Sequence, residues 1–289
     1  MKQSRLAYLF VLPSIFFITV FILYPLAFTV YLSFLDWNGL FGPRTFVGLR
    51  NFERLATDSN VLAALINNVT YMILGTIGTV VLGLILATLL DSKIRGWALF
   101  RNTFYFSVLL PSVVTGILFI SLYDPQLGLI DSLLGLLGFK SLSHLAWLAD
   151  PNIALYAVIL KDVWQYAGFP MLLFIAAFAN IPDEIYEAAR VEGASALQIF
   201  FRIRLPLIRQ VLATVATLQI LFSFRVFDSL WVMTHGGPGH ASEVLSTYLF
   251  KVAFSQQDFG YGSAIGIFMA VVIFPASLLY IRLWRLEGE

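Results

Sequence analysis

The chain is 289 residues long, 59% hydrophobic and 12% charged, with a formal net charge of +1 and no cysteine. Soluble domains carry about 25% charged residues, so a water-soluble fold of this size is excluded, because it has no way to hide so much apolar surface. The sequence does not concentrate the basic residues that phosphate binding needs, which argues against nucleic acid as a partner, and without cysteine there are no disulfides, thiolate metal sites or thiol nucleophiles.

Five runs, 6–35, 59–90, 102–123, 163–182 and 259–281, contain no Asp, Glu, Lys or Arg, and about 20 helical residues suffice to cross a hydrocarbon core. Hydropathy predicts six transmembrane helices at about 7–34, 61–90, 102–123, 152–178, 207–233 and 260–284. These stretches are far longer than the roughly 10-residue alternating strands of a barrel. The expected fold is therefore all-α, a polytopic membrane protein forming a single domain over 1–289.

Along the chain, the first run follows a basic Met1–Arg5 and continues to Phe34. That is longer than the roughly 7–15 apolar residues of a secretory leader, so the segment is expected to stay as an anchor. In the second span, Gly75, Gly78 and Gly83 offer a small-residue face for close helix packing. Trp37, Trp97, Trp147, Trp231 and Trp284 flank spans, where amphipathic rings suit the headgroup level.

Orientation follows from Lys and Arg. With the N-terminus inside, Lys2, Arg5, Lys93, Arg95, Arg101, Arg190, Arg202, Arg204, Arg209, Arg282 and Arg285 face the cytoplasm, eleven in all, against five outside: Arg44, Arg50, Arg54, Lys140 and Lys251. This bias predicts both termini inside. His144, His235 and His240 then fall in external loops as solvated or turn-forming residues. The loops near 36–60, 124–151 and 234–259 are too short to form a binding domain, so solute capture is expected to belong to a separate extracytoplasmic protein.

Four charges interrupt the apolar spans: Lys161 and Asp162 in the fourth, Arg225 and Asp228 in the fifth. Intramembrane charge marks a cavity, an ion pair or a substrate route, and the sequence leaves these alternatives open. Arg225 and Asp228, three apart, are expected on one helix face, where they could pair with each other. Lys161 and Asp162 are adjacent and are expected to diverge, each with its own partner.

Between the fourth and fifth spans, residues 181–206 read as two short helices joined at a corner. Pro182 suits a first turn, and Asp183 and Glu184 suit the helix dipole. Gly193 is the residue that most cheaply ends a helix in the left-handed conformation. Ser195 followed by Gln198 forms a capping box that restarts the chain as a second helix, and Pro206 opens the fifth span. Such a knob is larger than a plain connection needs. It is a surface for a partner, or else an amphipathic helix on the membrane.

At this loop the sequence resembles the inner-membrane permeases of binding-protein-dependent ABC importers. Their signature reads E-A-A, three residues, G, nine residues, I, one residue, L-P, and it is matched at Glu187, Ala188, Ala189, Gly193, Ile203, Leu205 and Pro206 with every spacing kept. Further stretches, among them 31–34, 46–52, 162–164 and 234–238, are similar to the carbohydrate branch of that family, the maltose-type line. Glu192 stands where the family more often has Asp, with the charge preserved. The resemblance implies a type I importer permease fold in a bacterial cytoplasmic membrane. It also implies a heterodimer with a second, homologous permease, a separate ATPase dimer docked on the loop, and delivery by an extracytoplasmic solute-binding protein. No cofactor or metal is expected. The chain has no P-loop of its own, since none of its five lysines follows a glycine.

The same resemblance implies a sugar pocket lined by Gly168, Met171, Phe222, Ser223 and Arg225. Trp164 and Gln165 are added on physical grounds, since aromatic faces with a few polar groups suit carbohydrate. Met171 lacks the ring or hydroxyl suited to a sugar there, and Arg225 suits an anionic solute such as a sugar phosphate equally well, so a non-sugar solute such as glycerol phosphate stays open as the alternative. A membrane-embedded enzyme is disfavoured because His-Glu-x-x-His and Gly-x-Ser-x-Gly are missing. A secondary transporter is disfavoured because no paired repeat is evident.

Overall fold

The computed structural model describes residues 2–39, 42–91, 96–139 and 145–286, with the backbone alone described for 2–9 and 274–286. Lys93, Arg95, Lys140 and His144 therefore lie outside the described residues, as do the side chains of Lys2, Arg5, Arg282, Trp284 and Arg285.

Helix α1 (Lys2–Ile18) continues through a π turn at Thr19–Leu23 into α2 (Tyr24–Leu32). A two-residue antiparallel pair follows, β1 (Leu35–Asp36) and β2 (Thr45–Phe46), with Leu35 opposite Phe46 and Asp36 opposite Thr45. It is a small departure from the all-helical expectation. Helices α3 (Arg50–Thr57), α4 (Ser59–Asp91), α5 (Trp97–Leu109), α6 (Ser112–Leu122) and α7 (Leu129–Leu136) come next. They lead to α8 (Ala154–Tyr166), α9 (Gly168–Ala179) and α10 (Asp183–Val191). After α11 (Ala196–Ile199), a π turn at Phe200–Arg204 and α12 (Leu205–Leu207), the chain enters α13 (Arg209–Ser223) and α14 (Asp228–Met233). It ends with α15 (Leu245–Phe250) and α16 (Phe259–Leu286).

Among the described residues, two helices, over Phe10–Leu32 and Ser59–Asp91, are long and apolar enough to cross a membrane unbroken. Two other expected spans are bent, by 102° between α5 and α6 and by 43° between α8 and α9, and the loop segment Ala196–Leu207 meets α13 at 72°. The first bend follows from Pro111, which takes the chain out of helical geometry at φ −57° and ψ 135° and removes an amide. The second has Pro170 three residues into α9, and a proline inside a helix leaves the carbonyl four residues before it unbonded, which kinks the axis. The stretch expected as one helix at 207–233 is corrected: it breaks at Ile208 (φ −95°, ψ 10°) and again over 224–227, between α13 and α14.

The chain forms two compact units. In the first, residues 1–62 and 245–289, backbone and side chains interlock closely. Asn51 Nδ2 donates to the carbonyls of Ser33 (2.9 Å) and Leu35 (2.8 Å), and a Cβ on Gly260 would collide with the Leu35 carbonyl. Asp58 Oδ2 accepts from the hydroxyls of Tyr248 (2.7 Å) and Tyr261 (2.6 Å). Arg54 pairs with Asp258 at 2.7 Å and lies 3.8 Å from the centroid of the Tyr261 ring. Burial raises the Asp58 carboxyl, but the hydrogen bonds from Tyr261, Tyr248 and two backbone amides outweigh it and hold the group below its ordinary range. Burial and the Asp58 contact push the Tyr248 phenol up to about 12.

The second unit, residues 63–244, holds two apolar clusters. One gathers Tyr71, Phe119, Tyr123, Val158, Leu230 and Met233; the other gathers Leu90, Met171, Phe174, Phe178, Ile208 and Val215. Helix α4 reaches α8 and α9 through two of the three glycines expected to form that face, Gly78 and Gly83, whereas Gly75 meets only Tyr71 of its own helix. A Cβ on Gly78 would stand 2.7 Å from Val163, and one on Gly83 would stand 2.6 Å from Pro170 and 3.1 Å from Met171 N. Between helices in lipid there is little hydrophobic drive, so such close backbone approach supplies the attraction.

Candidate functional site

Two features of the second unit carry chemistry, the 181–206 loop and a cavity among the broken helices. In the loop, Pro182 stands at ψ 136° before α10, with Asp183 and Glu184 in the first turn. The helix ends as a full Schellman motif: Gly193 sits at φ +82°, its amide donates to Arg190 (3.0 Å), and Ala194 N donates to the Ala189 carbonyl (2.9 Å). An added Cβ at Gly193 would meet no atom within 4 Å, so backbone conformation alone requires glycine there. The predicted capping box is present in both directions, Ser195 N to Gln198 Oε1 at 2.8 Å and Gln198 N to Ser195 Oγ at 3.3 Å.

Burial divides the loop into two faces. Tyr186 and Ala189 are buried in the molecule, whereas Glu187 and Ala188 are exposed. Val191, Leu197 and Phe201 stand 88%, 71% and 60% exposed, an apolar crest on a rigid corner. Ile203, Arg204 and Leu205 are half-buried, and Pro206 is exposed on α12.

The cavity has a volume of about 490 Å³, and its wall includes Tyr71, Ser112, Asp162, Tyr166, Phe169, Gln219, Phe222, Ser223, Arg225, Asp228 and Ser229. On one side the polar groups form a knot. Asp162 Oδ1 takes hydrogen bonds from Lys161 Nζ (3.0 Å) and Ser229 Oγ (2.8 Å), while its Oδ2 takes one from Tyr71 OH (2.7 Å). Lys161 also reaches Ser112 Oγ (3.1 Å) and Ser229 Oγ (3.2 Å), and those two hydroxyls lie 2.8 Å apart. Lys161 is 0% exposed and Asp162 4% exposed.

This overturns two expectations about the charges. Lys161 and Asp162 do not diverge: the long lysine folds back and pairs with its neighbour, because α6 and α14 bring two serine hydroxyls to complete the site. Arg225 and Asp228 do not share a helix face. The unwinding at 224–227 separates them, and among the described residues they form no ion pair. Both are exposed in the cavity wall.

Of the seven expected pathway residues, Phe222, Ser223 and Arg225 line this cavity. The other four lie elsewhere. Met171 is fully buried against Phe174 in the second cluster. Gly168 lies where a Cβ would strike the Phe104 carbonyl. Gln165 is fully buried, accepting from Thr115 Oγ1 (2.7 Å) and donating to the Leu110 carbonyl (2.9 Å). Trp164 is 43% exposed and packs on Phe119, with ring centroids 5.2 Å apart.

The sequence reading missed Tyr71, Ser112, Tyr166, Phe169, Gln219 and Ser229. Part of this was legible. Tyr71, Gly75 and Thr79, all in the wall, are spaced four apart on α4, as are Gln219 and Ser223 on α13, and that spacing places each set on one helix face. The two serines carry no such signal, because chain breaks aim them. The turn after α14 holds His235 (φ +51°) and His240 (φ +68°) in the left-handed region, the turn-forming role expected of them. Gly236 lies against the buried Glu243 carboxylate, which leaves no room for a Cβ, and His240 Nδ1 is 3.0 Å from Glu243 Oε2.

Helices long and apolar enough to cross a membrane, a charged cavity within the second unit and a capped corner with an exposed apolar crest suit a membrane protein that passes a polar solute and docks a partner. Residues 79–286 match the family model described as the binding-protein-dependent transport system inner membrane component, and the chain belongs to that family. It is 36% identical over 290 residues to the probable ABC transporter permease YurN of Bacillus subtilis, covering 100% of this chain and 99% of the relative. It is 31% identical over 289 residues to the trehalose/maltose transport system permease MalF of Thermococcus litoralis, covering 100% and 96%. The fold is similar to a chain of a bacterial alginate ABC transporter solved with an alginate pentasaccharide-bound periplasmic protein. That match has a TM-score of 0.83 and 22% identity, with 100% and 96% coverage. The chain is thus a non-catalytic permease subunit of an inner-membrane ABC importer, with ATP hydrolysis assigned to a separate subunit.

Proposed function

We propose that this subunit forms half of the path for a sugar. On this reading it has six spans with both termini in the cytoplasm, as one transmembrane domain over 1–289. It pairs with a second, homologous permease, receives solute from an extracytoplasmic binding protein and passes it inward when an ATPase dimer acts on the 181–206 loop. The observation that carries the coupling role is that loop's construction. A Schellman corner and a two-way capping box hold Val191, Leu197 and Phe201 in the open beside Glu187 and Ala188, at the positions where the signature falls. Apolar side chains on a rigid element suit a protein groove, since an anchor that is already ordered loses little freedom on binding.

For the solute, the cavity's chemistry supports a neutral polyol over an anion. Lys161 offsets Asp162 and Asp228 offsets Arg225, so the four charges sum to zero, while Tyr166, Phe169 and Phe222 supply ring faces. The relative from Thermococcus litoralis, a trehalose/maltose transport system permease protein, supports the same class. The test is uptake by proteoliposomes holding both permeases, the ATPase and the cognate binding protein. ATP-dependent uptake of the neutral sugar that co-purifies with the binding protein is expected. Preference for a sugar phosphate, or uptake by this chain alone without ATP, overturns the reading.

A further inference from the structure

Arg204 occupies the unspecified position of the Ile203-x-Leu205-Pro206 ending, and its side chain turns away from the loop's exposed crest. Its Nη2 stands 2.8 Å from Oδ2 of Asp91, the last residue of α4. Its guanidinium carbon lies 4.5 Å from the ring centroid of Phe178 on α9 and 5.1 Å from that of Tyr186 on α10. The two charged side chains are 16% and 26% exposed, so salt screens the pair less than one at an open surface. A planar guanidinium stacks on rings and faces a carboxylate at once, which an ammonium does not. Arg204 Nε and Tyr186 Oη are buried without a hydrogen-bond partner. The side chain's orientation therefore rests on Asp91 and the two ring faces.

From these contacts we propose that Arg204 is a positioning residue for coupling, a strut that ties the 181–206 loop to the end of α4. The inference rests on the reading of that loop as the ATPase docking element. Helix α4 is unbroken over Ser59–Asp91, so a displacement at Asp91 moves it as one body. Thr79 and Tyr71, both in the cavity wall, lie about 18 Å and 30 Å back along it at 1.5 Å per residue. The strut thus joins the loop to the cavity through a single rigid element.

The test uses the full importer in proteoliposomes, with Arg204→Gln, Asp91→Asn, the double variant and Arg204→Lys. Solute uptake and ATP hydrolysis are measured together, and ATPase co-purification reports assembly. Arg204→Gln and Asp91→Asn are each expected to assemble and to lose about threefold to tenfold in uptake per ATP. The double variant is expected to be no worse than the worse single one, because both act through one contact. Arg204→Lys, which keeps the charge without the plane, is expected to fall between. Wild-type uptake per ATP in Arg204→Gln or in Asp91→Asn, or additive losses in the double variant, overturns the proposal. Loss of ATPase co-purification also overturns it, by making Arg204 a docking residue instead. Asp91→Asn is isosteric and decides the matter if Arg204→Gln does not accumulate. Failure of the wild-type importer to move solute with ATP overturns the docking reading itself and this inference with it, and is recognised because the unmutated protein fails.

Discussion

Removing the Asp162 carboxylate strands a cation. Lys161 is 0% exposed, and its ammonium is held by that carboxylate at 3.0 Å together with two serine hydroxyls at 3.1 and 3.2 Å. In Asp162→Ala the hydroxyls remain but the counter-charge is gone, and the Tyr71 and Ser229 hydroxyls lose their acceptor. Breaking a buried pair from one side costs about 3–5 kcal/mol, whereas replacing both partners by apolar residues of similar volume is often close to neutral. A domain of this size shifts in melting temperature by roughly 2–4 °C per kcal/mol. Asp162→Ala is therefore expected to melt roughly 6–20 °C lower in detergent, and Lys161→Met with Asp162→Leu is expected to recover most of that loss. The assay is thermal denaturation of the purified permease pair followed by intrinsic fluorescence. An unchanged melting temperature in Asp162→Ala, or a double variant less stable than the single one, refutes the claim that the pair is a buried, mutually dependent unit.

Three further outcomes follow from the geometry. Glu187→Lys and Gly193→Asp are expected to lower transport and ATPase coupling while leaving membrane insertion intact. The first reverses a charge on the exposed side of α10, and the second forces a side chain into φ +82° at a cost of about 1 kcal/mol or more; full transport in either variant contradicts the docking role. Gly83→Leu is expected to destabilise by about 1–3 kcal/mol, because even its Cβ would stand 2.6 Å from Pro170, whereas Gly75→Ala, with only Tyr71 atoms of its own helix 3.8 Å or more away, is expected to change melting little. The Asp58 carboxyl titrates below its ordinary range, so its contribution is present above the unfolded pKa near 4 and is lost as pH falls through the depressed folded value. Asp58→Asn is therefore expected to flatten the acid limb of a melting-temperature profile below about pH 4, and an unchanged acid limb contradicts that assignment.

The loop's caps were legible in the sequence because capping is local: Ser195 and Gln198, Gly193 and the carbonyls it leaves behind lie within a few residues of one another. The two unbroken helices were legible for the same reason, since length and absence of charge are properties of a single segment. Part of the cavity was visible as four-residue spacing on α4 and α13. The fates of the four charges were not. A straight helix at 207–233 would have set Arg225 beside Asp228, but the chain unwinds between them.

The sequence alone settled composition, helical character, most of the loop's internal geometry and the glycine face of α4, all of which follow from neighbours along the chain. Tertiary structure decided the direction and partner of each charged side chain. Lys161 turns back onto Asp162 only because Ser112 and Ser229 arrive from two other helices, and Arg204 leaves the loop for Asp91 only because α4 ends beside it. A charge in an apolar setting takes the nearest group able to hold it, and which group is nearest depends on segments 49 to 113 residues away in the chain.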